Sequence, residues 1–388
     1  MRHNGFIHTV KRELAILTSR RVYLFGMVIV PVAVALFFVS LLSEGLPLEV
    51  PTAVVDLDNT PLSRQVVRNL DAQELTDITM ECPSYNEAIG RVRSGEIFGF
   101  FYIPRNFEQD AVSGQSPTIT YYSNMTYYVP GSLAFKGFKT MAVTTSGSLA
   151  GSKVVSAGLS ERLANVLLQP VVIDINPLHN PWTNYSIYLS NSFVPAALEL
   201  MIFLVTVFSI CQEIKTGRSR RWLSGADGSV VVAVLGKLLP QTFIFTAVGI
   251  GMQALLFRYC HFPLNGSAGG MILAMILLVI ACQSFALFVT SCVPNMRIAL
   301  SICSLSGILA FSVAGFSFPV EQMYGAIGIF SYLLPVRYYF LIYIDQALNG
   351  IDLYFSRYYF VALLLFPLGV YTVLWNLKRA LLKPVYVP

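Results

Sequence analysis

Charge is scarce in this chain: Asp, Glu, Lys and Arg make up 12% of its 388 residues, about half the share of a typical soluble protein. Cysteine is sparse too and carries no chemistry. Cys211, Cys282, Cys292 and Cys303 lie in or beside apolar blocks, where thiols act as small hydrophobes. Cys82 is the only cysteine between the first two apolar blocks, so that stretch cannot staple itself; a bridge to Cys260 is left open. The four histidines are scattered and no CxxC occurs, so nothing has the spacing of a metal centre. There is no GxxxxGKS/T phosphate loop, no HExxH and no GxSxG. Nucleotide hydrolysis by the phosphate-loop route, and the common hydrolytic mechanisms, therefore have no residues to stand on.

Long apolar runs take the place of charge. Six blocks stand out, Val22–Ser43, Phe193–Cys211, Val230–Phe257, Ala268–Val293, Ile298–Phe318 and Phe360–Leu377. A helix of about 20 residues crosses the roughly 30 Å hydrocarbon layer at 1.5 Å per residue, which excludes a soluble enzyme. The expected fold class is an α-helical polytopic membrane protein with six transmembrane helices, one plus five, and an inserted α/β extracytoplasmic domain. Residues 1–21 form a cytoplasmic amphipathic helix, 22–43 the first span, 44–189 the extracytoplasmic domain and 190–377 spans two to six. Within the last part lie a cytoplasmic loop at 212–229 and an outer re-entrant hairpin at 319–348, and 378–388 is a cytoplasmic tail. A cleaved signal peptide fits the first block less well, because a long charged leader precedes it and no small-residue cleavage site follows.

Orientation follows from the cations. Arg2, Lys11, Arg12, Arg20 and Arg21 precede the first block against a lone Glu13. Lys215, Arg218, Arg220 and Arg221 follow the second block, and Lys378, Arg379 and Lys383 follow the last. Short basic loops stay in the cytoplasm, so both termini are expected inside. The 44–189 insert carries fourteen acidic and nine basic residues, a net charge of 9 − 14 = −5, and is expected outside. The basic total thus reflects orientation, and no nucleic-acid partner is needed to explain it. In the leader, Phe6, Ile7, Val10, Leu14 and Leu17 recur at helical spacing. The helix they mark either lies along the inner membrane surface beside lipid headgroups or packs on its neighbours.

The insert alternates strand and helix signals. Thr52–Asp56 is β-branched and runs into the turn Asp56-Leu57-Asp58-Asn59-Thr60-Pro61. Leu62, Val66, Val67 and Leu70 mark a helical face, Ser84 caps a helix running through Arg93, and Ile97–Ile103 is an apolar strand. A short helix to Ser113, a β-rich run at Thr118–Tyr122, a weakly amphipathic helical stretch from Tyr128 to Leu168 and a strand at Val171–Ile175 complete it. Asp56 and Asp58 read as turn residues, not as a metal or catalytic pair.

Polar groups inside the spans are few. Glu199 sits about two turns into the second block, where an ionisable group must face protein or a watery cavity; it either touches a substrate or bonds to a neighbouring helix. Lys237, near the start of the third block, is expected to snorkel to the surface. Ser301, Ser304, Ser306 and Gly307 permit close packing of the fifth helix. Residues 319–348 are apolar but broken by Pro335, Arg337 and Asp345; a full span there would put the C-terminal cations outside, so a re-entrant hairpin fits better.

The loop Gln212-Glu213-Ile214-Lys215-Thr216-Gly217-Arg218-Ser219-Arg220-Arg221-Trp222-Leu223, with Leu235-Gly236-Lys237-Leu238-Leu239-Pro240 after it, resembles the coupling segment of type-2 ATP-binding-cassette exporter permeases. Gly315-Phe316-Ser317-Phe318-Pro319-Val320-Glu321 and Leu334-Pro335 resemble that family's stretch between its last two spans. Val54-Val55-Asp56-Leu57-Asp58 resembles the subgroup with a large extracytoplasmic domain between the first and second helices. Arg218 departs from the pattern, standing where Thr is usual. The resemblance covers nearly the whole chain.

It implies a permease subunit without an ATPase motif of its own, exporting hydrophobic or amphipathic cargo from the cytoplasm or inner leaflet of a bacterial inner membrane. No cofactor would be bound by this chain, and ATP would be held on a partner cassette ATPase. A second permease copy or paralogue would complete the pathway, membrane lipids would surround it, and a periplasmic adaptor protein is left open. In the coupling segment Glu213 would orient the loop, Gly217 allow a tight bend beside Arg218, and Trp222 anchor the loop at the interface or headgroups. The second and fifth blocks, with Glu199, Phe203, Phe311 and Phe316, would line the substrate pathway. Two other classes remain: a membrane-anchored receptor or adhesion protein acting through its outer domain, and an intramembrane lipid-modifying enzyme, which should show clustered His, Asp or Glu near one membrane face.

Overall fold

The computed structural model describes residues 5–43, 45, 48–113, 115, 117–126, 129–139 and 184–383. The chain divides into two compact units, Met1–Gly45 with Pro177–Pro388, and Leu46–Asn176.

The first unit is a helical bundle. Among the described residues six helices are long and apolar enough to cross a membrane: Arg21–Leu41, Tyr185–Lys215, Val230–Tyr259, Ala268–Cys292, Met296–Val313 and Leu353–Tyr371. In their most apolar stretches the second and fourth are 72% and 67% buried, while the first, fifth and sixth are 22%, 28% and 22% buried. The second and fourth spans are therefore the hub, and the others present apolar faces outward, as lipid-facing helices do. Ser306 and Gly307 are buried against the second span, where a Cβ at position 307 would lie 2.7 Å from Leu200 Cδ1. The stretch after the fifth span is a bent pair, Gly325–Ser331 and Pro335–Asn349, with 78° between its limbs. Pro335 opens the second limb at a first-turn position, where its missing N–H costs nothing.

Several boundaries differ from the sequence expectation; the fifth span ends at Val313, not Phe318, and the sixth begins at Leu353, not Phe360. The second span has 31 residues, about 46 Å of helix, so it projects well beyond the hydrocarbon layer and carries Glu213 with it. The sixth span ends at Tyr371, not Leu377, and a separate helix, Leu374–Leu382, follows. Apolar residues at helical spacing explain that helix: Leu377 and Leu381 are fully buried in a cluster with Ile214, Trp222 and Leu223, so what reads as a charged tail is a packed element.

Among its described residues the second unit holds a four-stranded sheet of order β2-β1-β3-β4, formed by β1 (Val50–Asp56), β2 (Thr76–Glu81), β3 (Gly99–Ile103) and β4 (Thr120–Ser123). β1 pairs parallel with β2 and β3, and β4 closes the edge antiparallel to β3. Helices Pro61–Asp71 and Tyr85–Ser94 are the crossovers. β1 alternates cleanly: Val54 joins Val66, Leu70, Phe101 and Ile103 in one core, while Ala53 and Val55 join Ala88, Ile97 and Phe100 in another. Both faces are covered, as parallel sheets require. Residues 129–139 are helical; the rest of the expected 128–168 helix and the strand at 171–175 fall outside the described residues.

The two carboxylates of the β1 turn act as caps. Asp56 accepts from the backbone N–H of Asp58 and Asn59 and from the Ser63 hydroxyl at 2.6 Å. Asp58 accepts from the Thr60 hydroxyl at 2.7 Å and from the backbone N–H groups of Phe107 and Glu108 at 3.1 and 3.0 Å. Desolvation pushes the Asp58 carboxyl up, but these hydrogen bonds to its charged form outweigh that and hold it below the usual range.

Candidate functional site

Four charges from three distant stretches meet at one end of the bundle. The helix Gly5–Ser19 lies along the third span and turns Thr9, Glu13 and Leu17 inward, while Phe6, Ile7 and Leu14 stay exposed. The helix thus packs on its neighbours through the face bearing Glu13, with its apolar face free for lipid. Glu13 can be buried because Lys237 Nζ donates to its Oε2 at 2.7 Å and Gln241 Nε2 to its Oε1 at 2.9 Å. Lys237 reaches Glu213 Oε1 as well, at 3.2 Å, and Arg12 Nη2 bonds both Glu213 oxygens at 2.8 and 2.7 Å. Two cations face two carboxylates, so the cluster is neutral, the condition under which buried charge is tolerable.

Lys237 therefore does not snorkel. It is 1% exposed, because two carboxylates lie within reach of its ammonium and replace the water it would otherwise seek. Its neighbour Gly236 makes the approach possible: a Cβ there would lie 2.8 Å from Thr9 Cβ. The Gly236-Lys237 pair thus brings two helices together and then joins them by charge.

The loop helix Ser219–Gly225 is fixed to this cluster. Gly217 takes φ +66°, the left-handed conformation that ends the second span, and the Arg218 N–H closes the bend on Glu213 O at 2.9 Å. Trp222 is not at the headgroups. It is 1% exposed, its indole N–H donates to Ala233 O at 3.2 Å, and Lys237 Nζ stands 5.1 Å from the ring centroid. An indole whose donor is satisfied inside has no need of the interface. From the other side the Ser219 hydroxyl donates to Leu381 O and Arg220 Nε to Leu382 O, both at 2.9 Å. The loop helix is thus held by both flanking spans, the N-terminal helix and the C-terminal helix. Arg218, Arg220, Arg221 and Ser224 remain exposed on it.

Of the residues expected in the coupling segment, Glu213 enters the charge cluster, and Gly217, Arg218 and Trp222 lie in the bend and helix beside it; Arg12, Glu13 and Gln241 were not anticipated there, and Lys237 is buried instead of snorkelling. The available signals were a lone acid in a basic leader and a lysine just after a glycine inside an apolar helix.

The four expected pathway residues are not brought together. Glu199 is wholly buried and its Oε2 accepts the Val336 N–H at 2.7 Å, at the start of the Pro335–Tyr343 helix. Of the two roles left open for Glu199, the geometry displays the bond to a neighbouring helix. Phe203 is buried and stacks on Phe285 at 4.8 Å. Phe316 is buried against Phe340 at 4.6 Å. Phe311, half-buried, leans on Phe193 at 5.6 Å. Phe203 faces its own chain's interior, because helix rotation turns neighbouring positions about 100° apart, and Phe316 does so from the bend that follows the fifth span. The open face of these spans carries others. Met201, Leu204 and Phe208 of the second span, Tyr23 and Gly26 of the first, and Ser301 and Ser304 of the fifth line an apolar groove of about 510 Å³.

A bundle of apolar spans with a short helix clamped at one end defines a polytopic membrane protein built to hold that helix rigidly. Residues 21–377 match the family described as ABC-2 family transporter protein, and the chain belongs to it. It is thus a multi-pass transmembrane subunit of an ATP-binding-cassette transporter, a family that works with a cassette ATPase. A search among curated proteins gives no match.

Proposed function

We propose that the chain is the permease subunit of an exporter, with both termini and the Ser219–Gly225 helix in the cytoplasm and the 44–189 insert outside, in a bacterial inner membrane. The exposed face of the loop helix docks on the cassette ATPase. The observation that carries this reading is the neutral cluster Arg12–Glu213–Lys237–Glu13, which ties the two spans flanking that helix to each other and to the N-terminal helix, with Trp222 of the loop helix packed against Lys237. Motion imposed on a helix so held moves the ends of both spans with it. Arg218, Arg220 and Arg221 give the docking face a positive character, which fits an acidic groove on the ATPase.

A second copy completes the pathway by facing the groove between the first, second and fifth spans. Its apolar lining, with only serine hydroxyls and a tyrosine for polarity, suits hydrophobic or amphipathic cargo. Of the expected pathway residues, Phe311 stays near this path, and Glu199, Phe203 and Phe316 support it from behind. ATP binds on the ATPase, and this chain holds no cofactor.

The test is charge reversal on the exposed face. In the reconstituted permease–ATPase complex, Arg218→Glu with Arg221→Glu should weaken ATPase association by about ten-fold or more at low salt and lower cargo-stimulated hydrolysis, while membrane insertion is unchanged. Unaltered association and stimulation would refute the docking face.

A further inference from the structure

The C-terminal helix Leu374–Leu382 has a second face that the bundle does not cover. Leu377 and Leu381 point inward, whereas Trp375 and Leu382 are exposed. Arg379 is exposed as well and Lys378 is half-buried, and the Arg379 guanidinium stands 5.2 Å from the centroid of the Trp375 ring. Nothing acidic accompanies these cations. The chain has no Asp or Glu after Asp352, and none of the ion pairs among the described residues involves Lys378 or Arg379. Only Thr372 and Val373 separate the helix from the sixth span, so it starts at the membrane boundary.

Leu374 sets the direction in which this face looks. It borders an apolar cleft among the third, fourth and sixth spans, beside the exposed side chains of Leu235, Leu239 and Tyr371, so the Leu374 side of the helix meets hydrocarbon. From Leu374, a turn of about 100° per residue places Lys378 about 40°, Leu382 about 80°, Trp375 about 100° and Arg379 about 140° round the axis in one sense. The inward Leu377 and Leu381 lie about 60° and 20° the other way. An apolar pair, Trp375 and Leu382, thus continues from the hydrocarbon-facing side with a cation on either flank. A helix lying in the membrane–water boundary has this order, its aromatic ring at headgroup level and its cations beside phosphate.

We infer that the Trp375–Leu382 flank rests on the membrane surface and that Lys378 and Arg379 bind the headgroups of anionic phospholipids. Charge complementarity selects that partner. A zwitterionic headgroup offsets its phosphate with its own ammonium, whereas an anionic one brings uncompensated charge to two cations without acidic partners. Arg379, held over the Trp375 ring, presents a pre-ordered guanidinium fork to a phosphate. The contact reaches the loop helix too, because Leu381 O and Leu382 O accept from Ser219 and Arg220. A lipid-bound C-terminal helix therefore gives the loop helix a footing on the membrane. The ATPase takes no part in this contact, which stands apart from the docking reading.

The experiment uses the full chain, without the ATPase, in vesicles of phosphatidylcholine mixed with phosphatidylglycerol. One lipid or the other carries bromine on its acyl chains near the headgroup end. The readout is bromine quenching of the part of the tryptophan emission that Trp375→Phe removes. A cation near an anionic surface is worth about five-fold in binding, so phosphatidylglycerol should compete for Trp375 on the order of five-fold or more better than phosphatidylcholine. Lys378→Gln with Arg379→Gln should bring that ratio close to one, while the thermal midpoint stays that of the parent. Lys378→Arg with Arg379→Lys, which keeps both charges, should retain the preference. Trp375 emission that neither brominated lipid quenches would place this face against something other than the membrane and overturn the site. Equal quenching by the two lipids, a preference that survives the glutamine pair, or its loss in the charge-conserving pair would each overturn the anionic headgroup.

Discussion

At the scale of residues, the four-charge cluster has consequences that follow from its neutrality. Lys237→Met leaves Glu13 and Glu213 buried with one cation fewer, and should cost roughly 3–5 kcal/mol, seen as a fall in the thermal midpoint of the purified protein. Glu13→Leu combined with Lys237→Met removes one charge of each sign and leaves the Arg12–Glu213 pair at 2.7 Å intact. It should regain most of the loss, and a double variant as unstable as the sum of the singles would mean the pair is not coupled. Asp58 makes a pH claim of known sign. Its carboxyl is held below the usual range in the folded insert, so its contribution is complete above the unfolded carboxylate pKa of about 4 and is lost as pH falls through the lower folded value. Pepsin should cut within residues 48–113 increasingly as pH falls below about 4, and Asp58→Asn should flatten that dependence. An unchanged pH profile in the variant would show that other groups govern it.

At the scale of elements, Glu199 acts as a cap. The Pro335–Tyr343 helix begins at Leu334, which supplies no side-chain cap, and the Glu199 carboxylate accepts the Val336 N–H in its place. Glu199→Gln keeps an acceptor and should be mild, whereas Glu199→Leu strands a buried N–H and should cost about 1–3 kcal/mol. If Glu199→Gln instead changes which cationic compounds are exported, the residue touches cargo. Elements with local signals were legible in the sequence. The helix at Pro61–Asp71 follows from Thr60 and Pro61, that at Tyr85–Ser94 from Ser84 and Gly95, and the spans from their length. β2 was missed because its residues are half polar; among the described residues it stands at the end of the sheet. The charge cluster was illegible for another reason. Residues 13, 213 and 237 are joined only by tertiary packing, and a lysine in an apolar helix looks the same whether it snorkels or meets a carboxylate. Helix rotation was likewise illegible: Phe203 lies on the buried side of the second span. Phe203 was chosen for size, but its neighbour Leu204 holds the open face.

At the scale of the whole molecule, that rotation separates two kinds of variant. Phe203→Ala opens a hole against Phe285 and should cost roughly 3–5 kcal/mol with no change in cargo preference. Leu204→Trp should leave the melting temperature nearly unchanged and alter the range of compounds exported, since it narrows the groove between the first, second and fifth spans. If the two exchange these effects, the groove is not the path. The central claim is that the clamped Ser219–Gly225 helix is the part of the chain the ATPase grips. It is tested most directly by site-specific crosslinking in intact membranes, with single cysteines placed at Arg221 on the exposed loop face and at Gln115 in the insert. The account predicts that Arg221→Cys crosslinks to the ATPase in a nucleotide-dependent manner and is shielded from an impermeant outside label, while Gln115→Cys takes the outside label and never reaches the ATPase. Labelling of Arg221→Cys from outside, or an assembled complex in which it forms no crosslink, would contradict it.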